Sequence, residues 1–320
     1  MKKWILLACL WLAACQITGP VATDAPELET TPVASPLPEA SPTPTPSPTP
    51  VPLPKLRVGL ALGGGAAKGF AHIGVIKMLE AHGIKADVVT GTSAGSVVGS
   101  LYASGMGPYE LQTRAFSLDE SQIRDIRILS GGLIKGQKLQ DFVNQLLHNR
   151  SFEKLAKPFA AVATELDTGR RVVFGRGNVG QAVRASSSIP GVFEPVVING
   201  KKYVDGGVVC PVPVDAAREM GADFVIAVDI SKKAGDSKQA KSMLGIMGQS
   251  IAIMGQRLGE IELARADVVI RPRVGQIGAA DFDQKNLAMM EGEKATLALL
   301  PEIQRKMREK QLSMRPLAAN

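Results

Sequence analysis

The chain has 320 residues, 45% of them apolar, and a net charge of +7. That suffices for one sizeable core with extensions, and a basic balance suits an anionic surface such as phospholipid headgroups. An aromatic content of 4% offers little for stacking bases, and no cysteine or histidine spacing suits zinc; nucleic acid, metals and cofactors are therefore not expected.

Lys2 and Lys3 precede an apolar run from Trp4 to Ala13. Such a run is too short for a bilayer core, which needs roughly 20 residues. A basic start, a short apolar stretch and small residues before a cut describe a secretion signal. The cut reads Leu12-Ala13-Ala14-Cys15, which resembles a bacterial lipobox. It predicts a signal peptide over 1–14, a lipidated Cys15 and a membrane-anchored cell-envelope protein. Gln16 is not aspartate, so the resemblance implies no retention at the inner membrane and favours the outer one. Cys9 falls in the leader and Cys15 at the anchor, so Cys210 has no partner for an intramolecular disulfide.

Residues 15–54 read as a proline-rich linker, with twelve prolines from Pro20 onward. Such a segment buries no core and extends over roughly 100 Å at most. Its charges are Asp24, Glu27, Glu29 and Glu39, so the basic excess lies beyond residue 54.

A catalytic domain is expected over 55–230. Leu56–Leu62 reads as a strand ending in three glycines, then Lys68–His82 as a helix stopped at Gly83. Ala86–Thr90 is a second strand, Gly91–Gly95 a tight turn, and Ser96–Ala103 a helix. This rhythm predicts a parallel α/β sheet. Further strands are expected at 159–164, 171–174 and 224–229, with a hairpin of 196–198 and 202–204 about Asn199-Gly200. A helix is expected over 213–220. Residues 231–320 read as a mostly helical extension packed on this domain: a Met-rich helix over 242–265, a strand at 268–270 and a helix over 283–310. Leu118–Gly136 or Met243–Met254 would serve as a lid.

Three motifs carry chemistry. Gly91-Thr92-Ser93-Ala94-Gly95 is a G-x-S-x-G pentapeptide after a strand and before a helix. A nucleophilic Ser93 must stand clear of the sheet on a strained turn, with Gly91 and Gly95 leaving room around it. Gly63-Gly64-Gly65-Ala66-Ala67-Lys68-Gly69 lets backbone N–H groups converge on an anion. Lys68 is not followed by serine or threonine, against a P-loop. No acidic residue closes the second strand, against a dinucleotide site. An oxyanion hole from Gly64, Gly65 and Ala66 fits better. Asp205-Gly206-Gly207 would present a carboxylate at a strand end.

No histidine follows Asp205, which excludes a Ser-His-Asp triad in the usual α/β-hydrolase order. His72 reads as a packing or hydrogen-bonded residue and His148 as an exposed helix end. A Ser93–Asp205 dyad remains. Ser186, Ser187 and Ser188 before Ile189-Pro190 read as a turn shaping an acyl pocket, Asp215 as a helix cap, and Asp229 as a strand-end residue.

These blocks, with Ala185–Pro195 (ASSSIPGVFEP) and Tyr203–Val214 (YVDGGVVCPVPV), resemble the patatin-like phospholipase family, and in particular its small bacterial esterases. The resemblance runs from about Leu56 to Asp229. It implies a three-layer α/β sandwich with a central, mostly parallel sheet flanked by helices. It also implies Ser93 as nucleophile, Asp205 as proton acceptor and an oxyanion loop at Gly64 and Gly65. Lys68 stands where the family usually has arginine, exchanging a bidentate fork for a point charge toward an anionic substrate. Ala66 stands where many relatives have glycine. The expected activity is hydrolysis of phospholipid or lysophospholipid acyl esters through an acyl-serine. An acyltransferase or an idle lipid-binding envelope lipoprotein are the alternatives, and the oligomeric state is left open.

Overall fold

A computed structural model describes residues 53–118, 134–231 and 243–314. The leader, Cys15, nearly all of the linker and most of Leu118–Gly136 lie outside the described residues.

Strand β1 (Val58–Leu62) is followed by a short 3-10 turn, Ala66–Gly69, and helix α1 (Phe70–Ala81). Strand β2 (Val88–Thr92) follows, with helix α2 (Ala94–Ala103) starting one residue after it. The strand thus runs on through Gly91 and Thr92, and the expected five-residue turn contracts to Ser93 alone. Helices α3 (Pro108–Ser117) and α4 (Gln137–Leu146) precede strand β3 (Phe159–Glu165) and strand β4 (Arg171–Phe174). Helix α5 (Val179–Ser186) leads to strands β5 (Val196–Ile198) and β6 (Lys201–Asp205). Their connection holds Asn199 at φ 50° and Gly200 at φ 77°, the left-handed pair that a two-residue hairpin needs. Helix α6 (Val214–Glu219), strand β7 (Phe224–Val228), helix α7 (Met243–Leu263), strand β8 (Val268–Ile270) and helix α8 (Lys285–Ser313) complete the described chain. Helices α3 and α5 add to the elements expected from sequence, and α4 is the helix that ends just before His148.

All eight strands join one sheet. β1, β2, β3, β7 and β8 run parallel; β4 and β6 lie antiparallel to β3, and β5 antiparallel to β6. Alternation along β1 and β7 sends Leu60, Leu62, Phe224 and Ile226 into one core, shared with Val75, Ile76 and Leu101 of α1 and α2. Ala61, Val225 and Ala227 face the other side, against Val214, Ala217 and Leu263 of α6 and α7. Both faces of the sheet are covered, which is the three-layer α/β sandwich.

Residues beyond 231 are integral to this arrangement. β8 pairs with β7, and α8 crosses α1 in backbone contact. A Cβ on Gly74 would lie 2.0 Å from the Met289 carbonyl oxygen, and one on Gly292 would lie 2.1 Å from that of Ala71. No residue with a side chain fits either place.

The register around β3 positions the site. Ala161 and Val162 pair with Gly91 and Thr92 of β2 on one edge and with β4 on the other. Ala163 and Thr164 also pair with β4, and on their opposite edge with Asp205 and Val204 of β6. β2 and β6 therefore share one edge of β3, end to end. Thr92 stands opposite Val162 and Asp205 opposite the next residue, Ala163.

Candidate active site

Ser93 is the one residue between β2 and α2, held at φ 53° and ψ −123°. That backbone region costs an L-residue on the order of 1–3 kcal/mol and persists only where its surroundings impose it. Here the close packing that the flanking glycines permit imposes it. A Cβ on Gly91 would lie 2.4 Å from the Gly95 carbonyl oxygen, and one on Gly95 would lie 2.1 Å from that of Leu62. The Ser93 carbonyl accepts from the Ser96 hydroxyl (2.7 Å) and N–H (2.8 Å) in the first turn of α2.

The Ser93 N–H donates to Ser186 Oγ (2.9 Å), which itself donates to the Val162 carbonyl (2.6 Å). Ser186 is fully buried at the end of α5. The expected serine turn therefore divides in three. Ser186 clamps the backbone of Ser93. Ser187 lines a cavity. Ser188 offers its carbonyl to the Asp205 N–H (2.8 Å).

Asp205 ends β6, 6% exposed beside Ser93 at 7%. Thr164 Oγ1 donates to its carbonyl (2.9 Å), and its Oδ1 accepts from the Gly207 N–H (2.7 Å). Burial pushes the carboxyl up from its ordinary 3.8 to about 6. The Ser93 hydroxyl, which faces the carboxylate, and the Gly207 N–H pull it part of the way back. The group is thus ionised at neutral pH yet more basic than an exposed aspartate.

The glycine loop corrects one expectation. Gly64 N–H donates to the Pro211 carbonyl (3.0 Å) and is occupied. Gly65 and Ala66 N–H meet no acceptor among the described residues. Ala66 holds φ 52°, the left-handed region that glycine tolerates best. The loop is braced from outside: Gly63 N–H donates to the Val228 carbonyl (3.0 Å) and Ala67 N–H to that of Ala279 (3.2 Å). From below, fully buried His72 donates Nε2–H to the Gly63 carbonyl (2.8 Å). Burial lowers the imidazole to about 4, against the Gly63 carbonyl and Asp229. It is a neutral brace, hydrogen-bonded as expected and outside the Ser93–Asp205 pair.

One further expectation changes. Asp215 lies inside the first turn of α6 and pairs with Arg265 instead of capping the helix. Asp229 follows the end of β7 as expected, and its carboxylate accepts from Ser231 N–H (3.0 Å) and Oγ (2.6 Å), with Arg271 at 3.6 Å.

Two cavities meet at Ser93. One, about 420 Å³, is almost wholly apolar, with Val97 and Leu101 of α2 and Leu139, Phe142 and Leu146 of α4 in its walls. The other, about 510 Å³, holds Gly64, Gly65, Lys68 and Asp205, and is bounded by Ile251, Ala252, Gly255 and Gln256 of α7 and by residues 275–279. Lys68, itself buried, thus sits beside the loop as expected. Half of this second wall comes from the C-terminal part of the chain, which the sequence reading treated as an extension.

Residues 60–218 match the family model described as patatin-like phospholipase. An uncharacterized NTE family protein of Mycobacterium tuberculosis is 38% identical over 189 residues, covering 58% of this chain and 52% of that protein. Patatin-like phospholipase domain-containing protein 6 of Mus musculus is 32% identical over 184 residues, covering 55% of this chain and 14% of that one. The chain thus spans about half the length of the mycobacterial relative it matches. Among solved structures, VipD from Legionella pneumophila is similar in fold, with a TM-score of 0.54 at 14% identity over 78% of this chain and 67% of that chain.

Proposed function

We propose that this chain, which belongs through residues 60–218 to the patatin-like phospholipase family, is a serine lipid acyl hydrolase working through Ser93 and Asp205. The observation that carries the reading is the strained Ser93 facing a buried Asp205 raised to about 6, beside two backbone donors that meet no acceptor among the described residues.

The chemistry follows from those atoms. Ser93 Oγ adds to the ester carbonyl carbon while its proton passes to Asp205. Gly65 and Ala66 N–H groups take the oxyanion that forms. The carbon–oxygen bond to the alcohol breaks, and the proton on Asp205 goes to the leaving oxygen. Asp205 then takes a proton from water, whose oxygen adds to the acyl carbon. The fatty acid leaves, and Ser93 Oγ recovers the proton. Lys68 in the same cavity favours an anionic substrate, so phospholipid or lysophospholipid esters are the proposed class. A second reading, transfer to a lipid alcohol, is favoured by the size of the cavity on the Asp205 side, which admits more than water. Lipidation at Cys15 would tether the domain to the cell envelope, and the proline-rich stretch would be its stalk.

Ser93→Ala should lower turnover of phospholipid and short-chain esters by about 10⁴-fold or more in a folded protein, and an active-serine phosphonate should label wild type only. Retained activity, or labelling of the variant, would defeat the assignment. An inert wild type that still binds lipid vesicles would instead identify a lipid-binding protein. Labelled acyl recovered on an added lysophospholipid would identify transfer.

A further inference from the structure

Building on the hydrolase reading, we infer that the two cavities divide the ester between them: the α2–α4 cavity holds the acyl chain, the α7 cavity holds the alcohol, and α2 gauges acyl length. The first argument is where the proton must go. The proton that Asp205 removes from Ser93 has to reach the leaving oxygen, and the later water must give its proton to the same carboxylate. Leaving group and water therefore both stand on the Asp205 side of the acyl carbon. Asp205 lines the α7 cavity and not the other. The alkyl chain, on the remaining substituent of that carbon, points into the α2–α4 cavity.

The lining agrees. Val97, Leu101, Leu139 and Phe142 offer a methylene chain nothing but apolar contact, at roughly 0.8 kcal/mol per buried methylene. The α7 cavity instead presents Lys68 and Gln256 beside apolar groups, a surface for a glycerol or headgroup portion.

Helix α2 makes the first cavity a ruler. Ser93, Val97 and Leu101 follow at four-residue steps along one wall. At 1.5 Å per residue, Val97 lies about 6 Å and Leu101 about 12 Å along the helix from the nucleophile. An extended chain advances about 1.2 Å per bond. The wall thus accompanies roughly ten carbons, with Val97 beside about the fifth.

The test uses the full chain and p-nitrophenyl esters of increasing acyl length, which hold the leaving group constant. Val97→Phe should lower the decanoyl-to-butyryl ratio of kcat/KM by about tenfold or more. Should that variant fail to fold, Leu139→Phe narrows the same cavity from α4 and should act alike. Ala252→Phe, in the α7 cavity, should leave that ratio in place and instead disfavour bulky alcohols over methyl esters of one acid. Acyl profiles unchanged in Val97→Phe and Leu139→Phe, or an acyl profile moved by Ala252→Phe, overturns the division. A wild type with no Ser93-dependent ester turnover overturns the hydrolase reading and this inference with it.

Discussion

The ends of β2 and β6 abut on one edge of β3, one residue pair apart, and they are built in opposite ways. At the β2 end the backbone carries the device. Ser93 is held at φ 53° by the packing of α2 onto β1, which Gly91 and Gly95 permit. At the β6 end the backbone is ordinary, with φ −47° and ψ 134°, and the environment carries the device. Burial lifts the Asp205 carboxyl, and with the Ser93 hydroxyl and the Gly207 N–H drawing it part of the way back it comes to about 6. On the proposed reading, Ser93 as nucleophile needs a direction, which covalent geometry supplies. Asp205 as base needs a proton affinity, which only solvent exclusion and neighbours supply.

That contrast is most sharply broken at Asp205. Asp205→Asn should lower kcat by about 10³- to 10⁴-fold while making the fold firmer at neutral pH. The folded carboxyl is raised above its unfolded value, so its contribution to stability is full below about pH 4 and lost as pH rises through about 6. The amide escapes that loss, on the order of 3 kcal/mol at most. Thermal melts should show the variant above wild type at pH 8 and level with it at pH 4. Equal stability at both pH values would mean that burial does not tune this group.

Gly95→Ala attacks the other end. Its Cβ would lie 2.1 Å from the Leu62 carbonyl oxygen, so α2 must lift from β1. Destabilisation of roughly 1–3 kcal/mol is expected, with loss of phosphonate labelling at Ser93. Normal labelling would show that the turn tolerates displacement.

A smaller effect concerns pH. The acid limb of kcat/KM should fall tenfold per pH unit below about 6, the value for Asp205. Glu262, buried against Cys210 Sγ at 3.2 Å, is raised by burial to about 7. Glu262→Gln should therefore leave the limb where it is. A limb that moves with Glu262 would assign the titration to the α7 contact instead.

The smallest change tests what joins the two ends. Ser186→Ala removes the clamp between Ser93 and Val162. We expect kcat to fall about tenfold with KM held, and the pH limb unmoved. A change confined to KM would place Ser186 in substrate contact.

How much was legible follows the same division. The pentapeptide at Gly91–Gly95 could be read because its residue types and spacing lie within five residues, although the group that bars a side chain at Gly95 is the distant Leu62 carbonyl. The hairpin at Asn199-Gly200 could be read because two left-handed residues demand those types. The glycine loop was half legible: its role is local, but the donors left open depend on Pro211, which reaches Gly64 from across the chain. Ser186 carried a faint signal, a run of three serines read as a turn before Ile189-Pro190, and nothing local distinguishes the one that holds Ser93. Gly74 and Gly292 carry no local signal of their role, which is to let α1 and α8 touch.

By itself the sequence determined the layered α/β class and the serine turn, and it pointed to Asp205 as the carboxylate proposed to serve it, since periodicity, glycine spacing and the order of the blocks are written along the chain. Tertiary structure alone decided that β6 continues the line of β2 along β3, that Gly64 N–H is taken by Pro211 while Gly65 and Ala66 meet no acceptor among the described residues, and that α7 and residues 275–279 wall the cavity beside Asp205. The reason is physical. Strand register, solvent exclusion and the filling of hydrogen-bond donors depend on groups far apart in the chain, and they exist only once those groups have met.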